Sequence, residues 1–306
     1  MTLRFGLFGA GYWAAETHAP ALAAADSVEL VGVWGRDPGR AEALATRFGA
    51  RAYADADSLI EDVDAACFAL PPDIQASLAM RAAHAGKHLL LEKPIALAEA
   101  DAVAVEDAVV SAGVASVVFF TNRFVPAIRQ VLEEAAAVGG WDGGRATAMF
   151  SIFGPGSPYA GSEWRRTKGG LWDVGPHVLS LFLPVLGPVD LVTAMEGPRR
   201  STQVLLRHHS GAVSTMALGL EAAPAASGID VAFVGAEGVV AVPVGEAAAV
   251  PALIMAIGEL LQASAADLPS HPCDVRFGSR VNTVLAAAEE AAASGKAVRI
   301  ASELSL

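Results

Sequence analysis

The sequence predicts an α/β chain of two domains. We expect an N-terminal doubly wound parallel sheet over residues 1–120 and, over residues 121–306, a second α/β domain with a large open, mostly antiparallel sheet. Three observations predict this fold. Short apolar runs alternate with alanine-rich helical segments in the first part, a glycine-rich turn follows the first run, and longer runs of alternating polarity follow Gly139-Gly140.

Five apolar runs, each of the length typical of buried parallel strands, predict the first domain. Alanine-rich stretches with helical periodicity separate these runs, and one of them, "IQASLAMRAAHAG", ends at Gly86, a residue suited to a left-handed cap. The predicted strands span residues 4–8, 29–34, 65–70, 87–91 and 116–120.

Longer runs in which polar and apolar residues alternate, as in strands with one buried face, predict the second domain. The predicted strands lie within residues 145–153, 189–197, 201–209, 212–220 and 229–243. We expect helices near residues 176–186, 251–266 and 278–294.

Composition excludes several classes of function. A net charge of -12 without a Lys/Arg run argues against a nucleic-acid partner, and no apolar stretch of about 18 residues calls for a membrane span. The amino terminus is too short and glycine-broken for a secretory signal. Cys67 and Cys273 suit neither a disulfide nor a zinc site, so we expect a cytoplasmic protein without a metal. His18, His84, His88 and His271 lack partners at ligand spacing, and we expect His208 and His209 to point to opposite faces of a strand.

A phosphate-binding turn is predicted directly after the first strand. Gly9, Gly11 and Ala14 form the pattern G-x-G-x-x-A, with Tyr12 and Trp13 between the last two. The first glycine permits the tight turn, the second leaves room for a pyrophosphate, and the alanine allows close packing of helix on strand. This context predicts a dinucleotide site, although a purely structural turn is the alternative.

The end of the second strand indicates which dinucleotide is bound. Gly35 stands where an acid would hold the ribose of NAD, and Arg36 follows it, with Arg40 close behind. An arginine fork suits a 2′-phosphate, so NADP(H) is favoured over NAD(H). In the alternative interpretation Arg36 covers the adenine, and Asp37 caps the next helix or turns to the ribose.

The segment "HLLLEKPIA", residues 88–96, ends an apolar run with a charged pair and a proline. A solvated turn would explain this pattern. With the glycine pattern and "GGLWDVGPH", however, the chain resembles the Gfo/Idh/MocA family, which includes glucose–fructose oxidoreductase and inositol dehydrogenase. The resemblance implies a pyridine-nucleotide oxidoreductase acting on a sugar, cyclitol or related polyol, with a homodimer or homotetramer formed through the sheet of the second domain.

The resemblance also assigns site residues. Lys93 is expected beside the nicotinamide and the reacting hydroxyl, with the Lys93–Pro94 bond cis, and Asp173 and His177 complete the catalytic set. His177 would exchange the hydroxyl proton, Lys93 would stabilise the oxygen, and Asp173 would orient its neighbours. Further cofactor contacts are expected from Leu70, Pro71, Gln75 and Glu92.

This chain departs from the family pattern where the substrate is expected. Gln75, Asn122-Arg123 and Ser180 stand where relatives commonly carry a histidine, two arginines and an acid. Asn122, Arg123, Trp164 and Arg165 are candidate substrate contacts, although the last two could instead be a packing pair. Two other functions stay open: elimination or glycoside hydrolysis assisted by the nucleotide, and nucleotide sensing without catalysis.

Overall fold

The computed structural model describes residues 2–245, 248–266 and 269–301. The chain divides into two compact units, of which the first comprises Met1–Phe124 and Ala248–Ser279 and the second Val125–Ala247 and Arg280–Leu306. The predicted boundary at residue 120 lies close to the observed one. The return of residues 248–279 to the first unit differs from the simple division that we predicted.

The first unit contains a six-stranded parallel sheet in the order β3-β2-β1-β4-β5-β6. Its strands are β1 (Leu3–Phe8), β2 (Val28–Trp34), β3 (Arg51–Tyr53), β4 (Ala65–Phe68), β5 (His88–Leu91) and β6 (Ser116–Val118). Its helices are α1 (Ala19–Ala24), α2 (Pro38–Arg47), α3 (Ala56–Glu61), α4 (Pro72–His84), α5 (Glu99–Ala112) and α9 (Ala249–Ser264). The predicted doubly wound sheet is confirmed, and β3 is a strand that the apolar pattern missed.

The edge strand β6 explains why residues 248–279 belong to the first unit. The returning chain supplies hydrogen-bond partners to that edge, since the Val118 amide donates to the Cys273 carbonyl at 2.7 Å. The Val275 amide donates to the Ser116 hydroxyl oxygen at 3.2 Å. Covering an exposed sheet edge in this way satisfies backbone groups that would otherwise be open to another chain.

The second unit contains a seven-stranded sheet in the order β12-β11-β7-β10-β9-β8-β13. All neighbouring strands are antiparallel except β7 and β10, which confirms the expected mostly antiparallel sheet. Its strands are β7 (Trp141–Met149), β8 (Val189–Glu196), β9 (Thr202–His208), β10 (Val213–Gly219), β11 (Gly228–Gly235), β12 (Gly238–Ala241) and β13 (Val298–Arg299). Helices α6 (Pro126–Val138), α7 (Glu163–Asp173), α8 (Gly175–Leu186) and most of α10 (Val275–Ser294) complete it.

The helical stretch Glu163–Leu186 is long and apolar enough to cross a membrane by length and composition alone. Within its apolar window, however, 72% of the residues are buried inside the protein. Gly169 interrupts the helical backbone with φ 64° and ψ -161°, and Asp173 forms an ion pair with Arg165. These features are typical of a core helix in a globular domain.

Candidate active site

The turn after β1 has the geometry that a phosphate cradle requires. Gly9 adopts φ 129°, and a Cβ atom there would collide with the carbonyl oxygen of Ala69. A Cβ atom on Gly11 would meet nothing within 4 Å, so space is open above this backbone. Ala14 is fully buried against the sheet. The turn therefore leaves room for a pyrophosphate, and the binding of one here stays a prediction.

The end of β2 presents one cation beside a glycine. Gly35 is buried, and a Cβ atom there would lie 3.0 Å from the Cβ of Ala10 in the glycine turn, which is a steric reason for glycine. Arg36 is exposed. The alternative role for Asp37 is confirmed, because its carboxylate caps α2 by accepting the Arg40 amide at 3.1 Å. The Arg40 guanidinium also pairs with Asp37, at 3.4 Å.

A cavity of about 360 Å³ lies at the ends of β2 and β3, beside α4. This volume is within the range of small-ligand sites, and the cavity adjoins the position where Gly35 and Arg36 follow β2. On its rim Asp55 caps α3, and the Ser58 amide hydrogen bond lowers the pKa of this carboxyl. The cavity is lined by Trp34, Ala54, Asp55, Ala56, Ile74, Ser77, Leu78 and Arg81.

Gln75, on α4, fixes the backbone that carries Lys93 after the end of β5. Gln75 is fully buried; its Oε1 accepts the Glu92 amide at 2.8 Å, and its Nε2 donates to the Glu92 carbonyl at 2.8 Å. The Lys93–Pro94 bond is cis, as expected from the resemblance. Direct contact between Gln75 and the cofactor stays a prediction, as it does for Leu70 and Pro71 at the end of β4.

The carboxylate of Glu92 is buried and held by donors from two directions. Its Oε1 accepts the Trp13 indole N–H at 2.6 Å and lies 3.3 Å from His18 Nε2. Its Oε2 accepts the backbone amide of Lys93 at 3.2 Å. Burial raises the pKa of the Cys67 thiol well above its ordinary value, and the charge of Glu92 adds to this shift. Sequence reasoning missed the contact of His18, because no ligand spacing marks that histidine.

The corner between α7 and α8 carries the second pair of candidate residues. Gly169 adopts a positive φ that breaks α7, and Gly170 packs so closely on the backbone of Gly219 in β10 that a Cβ atom would not fit. Asp173 ends α7 and is 8% exposed. His177 lies in the first turn of α8, where Pro176 is tolerated, and is half-buried.

Arg165 connects this corner to an aromatic loop. Its Nε donates to the Asp173 carboxylate at 3.1 Å, and its Nη1 donates to Ser162 Oγ at 3.3 Å. The guanidinium lies 4.6 Å from the Tyr159 ring centroid and 4.5 Å from that of Trp164. In this structure, therefore, Arg165 contacts the Trp164 ring and holds the Asp173 carboxylate.

The other departures from the family pattern also have defined places. Asn122 is buried in the 3₁₀ turn after β6, and the Arg123 guanidinium lies 5.6 Å from the Phe277 ring centroid. Ser180 is fully buried, and its hydroxyl donates to the His177 carbonyl at 2.7 Å, which supports the first turn of α8. Among the residues that the structure describes, no three His, Cys, Asp or Glu side chains form a group that could hold a metal ion.

Comparison with known proteins identifies related chains. The sequence model GFO_IDH_MocA, described as an oxidoreductase family with an NAD-binding Rossmann fold, matches residues 3–120. An uncharacterised oxidoreductase of Rhizobium meliloti is 42% identical over 98 residues, which is 31% of this chain and 29% of that protein.

Two further matches extend beyond the first unit. The dTDP-3,4-didehydro-2,6-dideoxy-alpha-D-glucose 3-reductase of Streptomyces antibioticus is 31% identical over 234 residues, covering 72% of this chain and 70% of that enzyme. The crystal structure of an NAD binding oxidoreductase from Klebsiella pneumoniae superimposes with a TM-score of 0.86 at 25% identity, covering 99% of this chain and 100% of that one.

Proposed function

This chain belongs to the Gfo/Idh/MocA family of oxidoreductases, and we propose that it transfers a hydride between the nicotinamide of NADP(H) and a secondary hydroxyl or ketone of a sugar, cyclitol or related polyol. The observation that carries this proposal is the hydrogen bond from Trp13 to Glu92. It joins the phosphate-binding turn to the segment of Lys93, so cofactor site and reactive lysine are parts of one assembly.

The residues present fit a nicotinamide dinucleotide. Gly9, Gly11 and Ala14 form the cradle for the pyrophosphate, flanked by Tyr12 and Trp13. When bound, the cofactor supplies or accepts the hydride at C4 of its nicotinamide.

The adenosine end of the cofactor is assigned to the end of β2. Arg36 would bind the 2′-phosphate of NADP, because it is an exposed cation beside a glycine and no acid stands at position 35. Arg40 would assist by releasing Asp37, since both side chains are exposed and their ion pair is therefore weak. Gln75, Glu92, Leu70 and Pro71 would shape the site between this end and Lys93.

Three side chains would carry the proton chemistry. His177 exchanges the proton of the reacting hydroxyl as general base or acid, and Lys93 hydrogen-bonds the same oxygen and stabilises its negative charge. Asp173, held by Arg165, orients the substrate or the histidine. Asn122, Arg123 and Trp164 would contact the substrate directly, whereas Arg165 would act through Asp173.

The substrate class follows from family membership and from the Streptomyces antibioticus relative, whose name describes reduction of a keto-sugar. Hydrolysis or elimination assisted by the nucleotide, and sensing without catalysis, are less favoured. A sensor has no need of a positioned proton-transfer group, whereas His177 is supported by Ser180 at the start of a buried helix.

We also propose that the protein is a cytoplasmic homodimer or homotetramer formed through the open face of the seven-stranded sheet. Met195, Leu205 and Val213 are exposed on neighbouring strands of one face, with Met195 71% exposed. Cys67 and Cys273 are buried free thiols, which suits a reducing compartment. Sedimentation of the wild type and of a Met195→Lys variant would test the interface, since a charge there should dissociate the oligomer.

The proposed reaction is tested by incubating the purified protein with a panel of sugars, cyclitols and keto-sugars, with NADP(H) and NAD(H) in parallel. The absorbance of the reduced nicotinamide should change in proportion to the amount of substrate converted. The protein should use NADP(H) in preference to NAD(H). Conversion of a glycoside without net change of the cofactor would contradict hydride transfer and favour elimination or hydrolysis.

A further inference from the structure

His18 is a buried histidine that the proposed reaction does not use. It is 1% exposed, and its Nε2 lies 3.3 Å from the same Glu92 oxygen that accepts the Trp13 indole N–H. A carboxylate in such a site needs donors, because burial removes the water that would otherwise solvate it. The orientation of the Glu92 side chain therefore depends on Trp13 and His18.

The backbone between these two donors is unusual. Residues Ala14–His18 form a π-helical turn, and the Ala19 amide donates to the Ala14 carbonyl five residues earlier. In an α-helix, residues five apart would lie about 140° apart around the axis. The wider turn brings Trp13 and His18 to one side, where their ring centroids are 6.3 Å apart and His18 Nδ1 lies 3.4 Å from the Trp13 carbonyl. Turns of this kind occur frequently at functional sites.

The second carboxylate oxygen of Glu92 contacts the backbone of Lys93. Oε2 of the carboxylate accepts the backbone amide of Lys93, while Gln75 fixes both backbone groups of Glu92. Rotation of the Glu92 carboxylate would break the contact with the Lys93 amide, whereas Gln75 would still hold the preceding peptide. The carboxylate is thus the element that relays the position of His18 to Lys93.

We propose that His18 is a positioning residue for Lys93, acting through Glu92. Together with Trp13 it holds the carboxylate in the orientation that anchors the Lys93 amide, and this role rests on the proposed function of Lys93 at the reacting oxygen. Without His18 the buried carboxylate loses one of its donors and turns to pair with the ammonium of Lys93, the next residue in the chain. The lysine is then drawn away from the substrate.

Kinetics of five variants, one of them a control, test this role. His18→Leu should lower kcat by roughly tenfold to a hundredfold, the effect of one hydrogen bond to a charged group, with the Kd of NADPH nearly unchanged. His18→Gln keeps a donor and should restore most of kcat. The double variant His18→Leu/Glu92→Gln should be no slower than Glu92→Gln alone, because residues acting through one another are not additive. His84→Leu, at an exposed position on α4 outside the site, is the matched control.

A structural role alone predicts different results. In that case His18→Leu would lower the unfolding temperature while kcat per folded molecule stayed at the wild-type value. If His18 instead affected kcat independently of Glu92, the loss in the double variant would be the product of the two single losses. Either result would overturn the proposal, as would failure of His18→Gln to exceed His18→Leu in kcat.

A second readout does not depend on turnover. The chain has four lysines, so acetylation of Lys93 by acetic anhydride can be followed by mass spectrometry relative to the exposed Lys296. The Lys93 rate should fall roughly threefold or more in His18→Leu, the size of a new ion pair, and should not change in His84→Leu. An unchanged Lys93 rate in His18→Leu would overturn the proposal. If the wild type oxidises no sugar but the rate still falls, the proposed function fails and the positioning role of His18 is retained.

Discussion

Replacing Arg165 by methionine tests how Asp173 is held in the corner between α7 and α8. Methionine keeps much of the apolar stem but removes the guanidinium, which donates to the carboxylate at 3.1 Å and lies over the Tyr159 and Trp164 rings. Because Asp173 is only 8% exposed, water replaces that donor poorly. The side chain of Arg165 is 22% exposed, so solvent reaches part of this ion pair. Removing Arg165 therefore costs less than leaving a deeply buried carboxylate without its partner.

The expected loss is that of one hydrogen bond to a charged group, about 1.5–3 kcal/mol, which lowers kcat/KM by roughly tenfold to 150-fold. The loss should fall on the reaction with the sugar, and the Kd of the cofactor should not change, since Arg165 lies in the second unit. Arg165→Lys should recover part of the activity, because the ammonium keeps the positive charge but lacks the planar pair of donors of the guanidinium.

The assay is steady-state kinetics with the best substrate from the sugar panel, together with a fluorescence titration of NADPH. Arg166→Met is the matched control, because Arg166 is the next residue, is exposed and donates to the Ala160 carbonyl. Equal kcat/KM in the Arg165 and Arg166 variants would refute the reasoning. So would a loss in Arg165→Met that appears only in the free energy of unfolding.

Three further predictions concern cofactor choice, chemistry and pH. Arg36→Ala should weaken NADPH about tenfold or more in an affinity titration and leave NADH unchanged; equal losses for both cofactors would contradict the assignment. His177→Ala should lower turnover roughly 10²- to 10⁴-fold without changing cofactor affinity, and Lys93→Arg should not restore the activity lost in Lys93→Ala. Burial lowers the pKa of His208, which bonds the Gly187 carbonyl and Ser214, so the neutral ring favours the fold. The contribution of His208 to stability should be complete above about pH 6.5 and should decline as the pH falls through the lowered pKa. The free energy of unfolding in urea, measured as a function of pH, should depend less on pH in His208→Gln than in the wild type.

The sequence was sufficient for the parts of the fold that local patterns determine. Apolar runs located five of the six parallel strands, and Asp37 and Gly86 were recognised at helix ends because capping is a local property. Strand β3 was missed because its first two residues are exposed and only Tyr53 is buried, which leaves no apolar run to detect. The return of residues 248–279 was missed because covering of the β6 edge is a non-local interaction.

The candidate site also combines features that local sequence patterns predict with contacts that they do not. The glycine turn and Lys93 carry motifs, and the structure gives each of them the expected local setting. No motif marks the side chains that position the candidate site residues. Gln75 and His18 contact Glu92, which lies 17 and 74 residues away in the sequence, and Arg165 contacts Asp173, 8 residues away. The histidine contact further depends on a π-helical turn, a backbone form that residue patterns do not specify.

Transfer of an isotope label tests the central proposal most directly. The protein is given a keto-sugar from the active panel and NADPH that carries deuterium at both C4 positions, and the product is analysed by mass spectrometry. Hydride transfer predicts a product with one deuterium on the new carbinol carbon and an equal amount of NADP⁺. A product without deuterium, or one formed while NADPH stays unconsumed, would contradict the proposed reaction.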